Sequence, residues 1–298
     1  MNKFFAYSII LFTSSLLSSG IRAQEKDLLD LVDDGKQPHE IVKNAFKSTR
    51  VINGHSIEFL APGTMDFRIL HRFGQFNQGT SNFFGLDQAS MRMGFDFGIT
   101  GNLQIGVGRS TFKKEVDGYI KYGLLRQSTG ERSFPFTLAL VGGATMNTLP
   151  FADPTIKNYF SSRMAYYGQA IIGRKFSDRL TLQLSPTIVH NNLVPLVSQP
   201  NDVFAVGFGG RIKMSKRMAF TWDYFYNING IEDDVNYNPL SVGVDIETGG
   251  HVFQLHVSNA AGMNERAFIT ETTSSWERVD LRFGFNLSRI FQIKKPKK

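Results

Sequence analysis

From residue 91 the chain reads MRMGFDFGI: Met91, Met93, Phe95, Phe97 and Ile99 alternate with Arg92, Gly94, Asp96 and Gly98. A strand points successive side chains to opposite faces, so this stretch makes one oily face and one polar face that carries charge. A sheet built this way either buries the oily face against a second sheet or turns it toward lipid and encloses the polar face.

The same alternation recurs in runs of about ten residues, close to the ~9–11 residues of a tilted membrane strand. The runs fall at 64–73, 88–99, 103–112, 118–127, 134–147, 163–175, 180–190, 203–214, 218–229, 240–247, 251–258 and 278–288. Their connections sort into two alternating classes. Short ones lie at 100–102, 128–133, 177–179, 215–217 and 248–250, and mostly longer ones, rich in Asn, Asp, Pro and Ser, near 74–87, 113–117, 148–162, 191–202, 230–239 and 259–277. An up-and-down barrel of twelve strands needs five connections at the end holding both termini and six at the other. A sandwich has no reason to sort its loops this way, and closure removes exposed sheet edges. The expected fold is therefore all-β, a monomeric up-and-down antiparallel transmembrane β-barrel of about 12 strands and outer-membrane type, with both termini periplasmic. The 27 Phe and 28 Gly suit such strands and their close packing better than helices.

The parity that sets Met91, Phe95 and Phe97 toward lipid does the same for Leu180, Leu182, Leu184, Phe220, Trp222, Tyr224, Val242, Val244, Leu281, Phe283 and Phe285. The inward parity collects Asp66, Arg68, Arg92, Asp96, Lys121, Arg211, Lys213, Asp223, Asp245, Glu247, Asp280 and Arg282, with Gln254 and His256 nearby. Acids and bases balance. Such a lining either pairs into a network that fills the lumen or borders a passage of low charge selectivity.

The chain opens with Lys3, an apolar run from Phe4 to about Leu17, and small residues before Gln24, which reads as a secretory signal over 1–24. The run is short of the roughly 20 apolar residues of a membrane helix. Residues 25–48 read as a polar periplasmic lead-in with helical flavour, and 49–298 as the barrel domain. Removing the signal lowers the formal charge from +7 by two, the loss of Lys3 and Arg22. The remaining bases are scattered apart from the terminal KKPKK, and no nucleic-acid motif accompanies them, so a nucleic-acid partner is not expected. With no cysteine, disulfides and thiolate metal sites are excluded. The six histidines show no metal-ligand spacing, and GVGRS (106–110) lacks the lysine and helix of a phosphate loop, so no metal or cofactor is expected.

The segments RVINGHSIEF (50–59), DFRILHRFG (66–74), FFGLDQASMRMGFDFGIT (83–100) and IGVGRSTFKKEVDGYIKYGLLRQ (105–127) resemble a family of outer-membrane barrels from Bacteroidota-type bacteria, catalogued as the domain of unknown function 5777. The resemblance covers nearly all of the mature chain and implies outer-membrane location in a Gram-negative cell. It implies no chemistry. Thr49–Leu60 fits outside the twelve runs: an extra strand, a segment folded into the lumen and a stretch beneath the barrel all accommodate it.

Three functions fit this sequence. The strand number lies between filled eight-stranded and open sixteen-stranded barrels, which favours a small pore or conduit for solutes. A barrel-embedded lipid hydrolase is the second: His256 and Ser258 share a face, Asn259 follows, and Glu277 or Asp280 could orient the histidine. This spacing resembles the outer-membrane phospholipase family, yet parity points both residues into the lumen where that family turns its serine to lipid, and a carboxylate replaces an amide. The third is a non-transporting scaffold or binding barrel, using loops 148–162 and 259–277, the first bearing Phe151, Tyr159 and Phe160. Expected partners are outer-membrane lipid and lipopolysaccharide; His71, beside Arg72 at a strand's outer end, reads as a rim histidine or a lipopolysaccharide contact. In NGHS (53–56), His55 and Ser56 would lie on opposite faces of a strand and form no catalytic pair.

Overall fold

The computed structural model describes residues 38–294 except 152, 154, 156, 158, 195 and 230–234. The expected signal, most of the lead-in and the last four residues of the basic tail lie outside the described residues. Twelve antiparallel strands close into a barrel: β1 (Thr64–Gln75), β2 (Ala89–Gly98), β3 (Leu103–Ser110), β4 (Glu115–Leu125), β5 (Thr137–Asn147), β6 (Met164–Lys175), β7 (Leu180–Asn191), β8 (Asp202–Lys213), β9 (Met218–Asn227), β10 (Leu240–Thr248), β11 (His251–Ser258) and β12 (Arg282–Gln292). Each pairs with its sequence neighbour, and β12 returns to β1 from Gln292↔Thr64 to Arg282↔Gln75. No helix among the described residues is long and apolar enough to cross a membrane.

The period-two pattern sets the faces. Along β1 buried and half-buried residues alternate without a break, with Asp66, Arg68 and Arg72 inside. Outside, Phe67 stands opposite Phe95 with ring centroids 5.2 Å apart, and Met93 and Phe95 are exposed. Inside, Asp66 faces Asp96 across the same strand pair, a repulsive arrangement relieved by Arg68, whose guanidinium lies 2.6 Å from Asp66 and 3.7 Å from Asp96.

Most boundaries fall within two residues of the sequence expectation; β5 begins at 137 rather than 134 and β12 runs on to 292 rather than 288, and two further shifts have a local cause. β12 begins at Arg282 rather than 278, because 275–281 closes a turn: Asp280 N–H donates to Ser275 O at 3.0 Å, and Val279 sits at φ 56°. A β-branched residue in that conformation cannot extend a strand. β4 begins earlier than expected, at Glu115, because the tight turn Phe112–Lys114 lets Glu115 pair with Asn147. The short connection between β4 and β5 carries Ser128–Thr129, which pairs with Glu40–Ile41 in a separate two-residue ladder.

The barrel is filled from both ends. Thr49–Leu60 is folded into the lumen as a hairpin in which Arg50 bridges His55, Ser56 N–H donates to Thr49 O at 3.0 Å and Val51 N–H to Gly54 O at 2.9 Å. The buried stretch starts earlier, with Ala45 and Phe46 also inside. From the long-loop end, the chain after β11 turns inward and forms α1 (Glu265–Thr270), capped by the Asn264 side chain accepting from Ala267 N–H at 2.9 Å. Glu265, Ala267, Phe268 and Ile269 on this helix are all buried.

An irregular backbone inside a membrane barrel must have its polar groups satisfied by the wall. The Asp223 carboxylate does this at the hairpin tip, its Oδ2 accepting from the N–H groups of Asn53 (2.6 Å), Gly54 (3.0 Å) and Ile52 (3.3 Å). Gln254 donates to Val51 O at 2.5 Å and Asn286 to Ile52 O at 2.9 Å. Gln183 accepts from Ile57 N–H at 3.1 Å and donates to His55 O at 2.7 Å. Close approach also fixes glycine at Gly98, where an added Cβ would stand 2.2 Å from the carbonyl oxygen of Ala61.

Asp223→Ala removes one acceptor from three buried donors, and each unsatisfied group costs about 1–3 kcal/mol. Hydrogen exchange at amides 50–57 should accelerate by at least about tenfold while the strands keep their protection; unchanged exchange there would show that Asp223 does not anchor the hairpin. Gly98→Val, which overpacks against backbone, should lower folding stability by about 1–3 kcal/mol, read from the urea midpoint of the refolded protein.

Candidate functional site

The hairpin divides the lumen chemically. Toward β5–β8 the wall carries an apolar cluster: Ala139, Val141, Ile171, Val189, Val203 and Ala205 are buried together with Ala45, Phe46, Val51 and Ile57 of the inserted segment and with Phe268 and Ile269 of α1, beside the buried Gln169, Gln183 and Arg211 of the same strands. Phe225 stacks edge-on against Phe268 with centroids 5.0 Å apart. The strands flanking that half carry most of the charge. Arg92 grips Asp117 through two bonds, Nε to Oδ1 at 2.8 Å and an NH2 bond to Oδ2 at 2.5 Å. Arg68 reaches the Ser48 and Thr49 hydroxyls at 3.0 and 2.7 Å, and Lys121 donates to the carbonyls of Ser56 and Glu58 at 2.6 and 2.5 Å. Arg72 is held by amide oxygens, those of Asn53 at 2.8 Å and Asn286 at 3.0 Å.

The two inserted elements meet at Arg50 and Glu265. Their charged atoms are 2.8 Å apart, and both side chains are about 1% exposed. Arg50 also donates to Asn53 O at 2.6 Å, so one guanidinium closes its own hairpin and binds the helix from the opposite end. His55 Nε2 lies 3.2 Å from the same Glu265 oxygen and 3.3 Å from the Tyr167 hydroxyl, and its ring packs edge-on against Tyr119 at 4.4 Å. Next to Glu265, Arg266 in the first turn of α1 bridges Glu115 on the wall and Glu271 just past the helix's last residue, and Lys113 reaches Glu271 at 2.8 Å. Breaking such a buried pair is expensive because it strands a charge away from water.

Of the charges assigned to the lumen by parity, Asp66, Arg68, Arg92, Asp96, Lys121, Arg211, Asp223 and Asp245 are buried inside the barrel. Lys213 and Glu247 are only partly buried near the short-turn end, where Glu247 pairs with Lys47. Asp280 does not face the lumen from a strand: it lies in the turn before β12, bound to the Asn77 side chain, because the left-handed Val279 resets the alternation. Arg282 sits at the strand's first position and donates to Phe73 O at 3.3 Å.

Arg72 and Asp117 share the inward parity of neighbours already assigned, so extending the pattern would have found them. Arg50, His55 and Glu265 lie on segments without strand periodicity and carry no such signal. Nor does the structure bring a hydrolytic triad together. Ser258 Oγ is bonded to the Ser241 hydroxyl at 2.8 Å and to Ala260 N–H at 3.0 Å, while His256 is buried beside Gly284 and makes no hydrogen bond to Ser258, Glu277 or Asp280. Glu277 is exposed in the turn before β12. Among the described residues no group of three or more His, Asp and Glu is arranged to hold a metal ion.

No curated protein matches the sequence. Among solved structures, the NanC porin is similar at 8% identity and a TM-score of 0.49, over 76% of this chain and 98% of that one. The KdgM porin is similar at 8% identity and 0.45, over 76% and 99%. An outer-membrane channel from Pseudomonas putida F1 is similar at 11% identity and 0.45, over 78% and 97%. Residues 46–291, which take in the inserted hairpin and all but the last residue of the closed barrel, match the family described as a membrane bound beta barrel domain (DUF5777), and the chain belongs to that family.

Proposed function

We propose that the protein is a small conduit for solutes across the outer membrane, held shut at rest by the hairpin of residues 49–57 and by α1. The carrying observation is the chemistry of the wall that the plug touches. Arg68, Arg72, Lys121, Gln183, Asp223, Gln254 and Asn286 bind the inserted segment through polar groups. Water can satisfy every one of these groups once the segment leaves, so the bore can hydrate. A barrel filled only for stability gains nothing from ion pairs, since well-packed apolar residues of similar volume are often as stabilising or more so. Charge inside a membrane protein marks a pathway by default.

In this reading the short-turn end and both termini face the periplasm, and the six longer connections face outward. Exposed Phe95, Leu184, Phe204, Phe208 and Phe283 meet lipid, and lipopolysaccharide meets the outer rim.

Single-channel recording in planar bilayers tests the proposal. The wild type should be closed most of the time. Arg50→Ala and Glu265→Ala each leave one buried charge unpaired, at about 3–5 kcal/mol, and should raise the open fraction at least tenfold. The double variant removes both charges and should open less than either single one. Properly folded variants, judged by heat-modifiable gel mobility, that pass no ions even with residues 45–60 deleted would overturn the conduit and leave a binding barrel.

A further inference from the structure

Above α1, at the long-loop end, lies a recess of about 550 Å³ joined to a side chamber of about 190 Å³. Its size is that of a small-molecule site, which spans about 300–1,000 Å³. The barrel wall shapes it through one register row, in which Thr145 of β5 faces Ala165 of β6, and Ala165 faces Asn191 of β7. The small Ala165 between two longer polar side chains leaves space, and Leu193, Leu196 and Val235 wall the recess above.

Three buried polar atoms on this lining have no hydrogen-bond partner: Thr145 Oγ1, Asn191 Oδ1 and Glu271 Oε2. Thr145 and Asn191 are 1% and 7% exposed. Buried polar atoms are nearly always satisfied, so three together on one cavity point to a ligand that satisfies them. All three can accept, and two can only accept, so the ligand must donate.

Charge narrows the class. Glu271 is already neutralised by Lys113 and Arg266, and Arg163 lines the side chamber. With Glu115 also bound to Arg266, three cations stand against two carboxylates, and an ammonium donor would meet a net positive charge. Neutral hydroxyls meet no such repulsion, and the apolar wall suits the C–H face of a sugar ring.

We infer that this recess binds a neutral saccharide through Thr145, Asn191 and Glu271. The inference goes beyond the conduit reading, since binding here requires no passage through the barrel.

Isothermal titration calorimetry tests it with the full-length protein in an amine-oxide detergent free of sugar, using maltotriose, cellotriose and triacetylchitotriose, with putrescine as the cationic comparison. At least one trisaccharide should bind saturably and putrescine more weakly. Thr145→Val and Asn191→Leu leave the ion network intact and should each weaken sugar binding about fivefold or more, the loss of one hydrogen bond, without changing thermal unfolding. Saturable heat with none of the three sugars, affinity unchanged in both variants, or tighter binding of putrescine would each overturn the inference.

Discussion

A closed antiparallel ring satisfies its own backbone, but anything placed inside it must be satisfied by side chains from the wall. That constraint decides most of this interior. The hairpin tip has no ladder partner for the N–H groups of Ile52, Asn53 and Gly54, so an aspartate on β9 supplies the acceptor, and Gln183 on β7 serves both an amide and a carbonyl of the returning arm. The wall is accordingly rich in Gln, Asn, Ser and Thr, whose amide and hydroxyl groups bond backbone without bringing a charge that would itself need neutralising. Some formal charges also bond backbone, Asp223 at the tip and Lys121 at the carbonyls of Ser56 and Glu58, while others hold one side chain against another, such as Arg92 with Asp117.

The inserted segment is anchored differently on its two sides. Toward β5–β8 it packs Phe46, Val51 and Ile57 against aliphatic side chains with Gln183 as a polar anchor; toward the flanking strands it bonds mainly to charged and amide groups. Apolar burial favours insertion without directing it, while the hydrogen bonds fix one register. Sliding the hairpin by one residue would bring side chains opposite the Asp223 carboxylate in place of the three N–H groups. The plug therefore has one well-defined seat rather than a range of partly inserted states.

The barrel itself was readable because lipid outside and polar groups inside impose a two-residue period on every strand, and because loop lengths sort by end. Two of the boundary shifts arise where local backbone overrode the pattern. Val279 in the left-handed region broke the alternation that had assigned Asp280 to the lumen, and the turn Phe112–Lys114 started β4 three residues early. The plug was not readable for a related reason. Residues 49–60 have no lipid face, so Arg50 and His55 are as buried as Val51 and Ile52, and no periodicity separates inside from outside. Glu265 was hidden by the same logic: a charged residue in a long connection reads as solvent-facing unless something shows that the connection turns inward.

The position of Arg50 and Glu265 gives the two ends of the barrel a common element. Glu265 opens α1 and Glu271 follows its last residue, so the helix binds the hairpin through Glu265 and the barrel at the long-loop end through Glu271 with Lys113 and through its own Arg266 with Glu115. A displacement of α1 toward the long-loop end cannot preserve both sets of bonds, because the 2.8 Å separation of Arg50 and Glu265 leaves no slack and the buried pair has no water to replace a lost partner. Any event that shifts the helix is thus felt at residue 50, deep in the hairpin that arrives from the opposite end. The same pair adds little to net stability, since desolvation offsets most of its Coulomb attraction. What it contributes is correlation: the hairpin and the helix are favoured together, and each is destabilised when the other leaves.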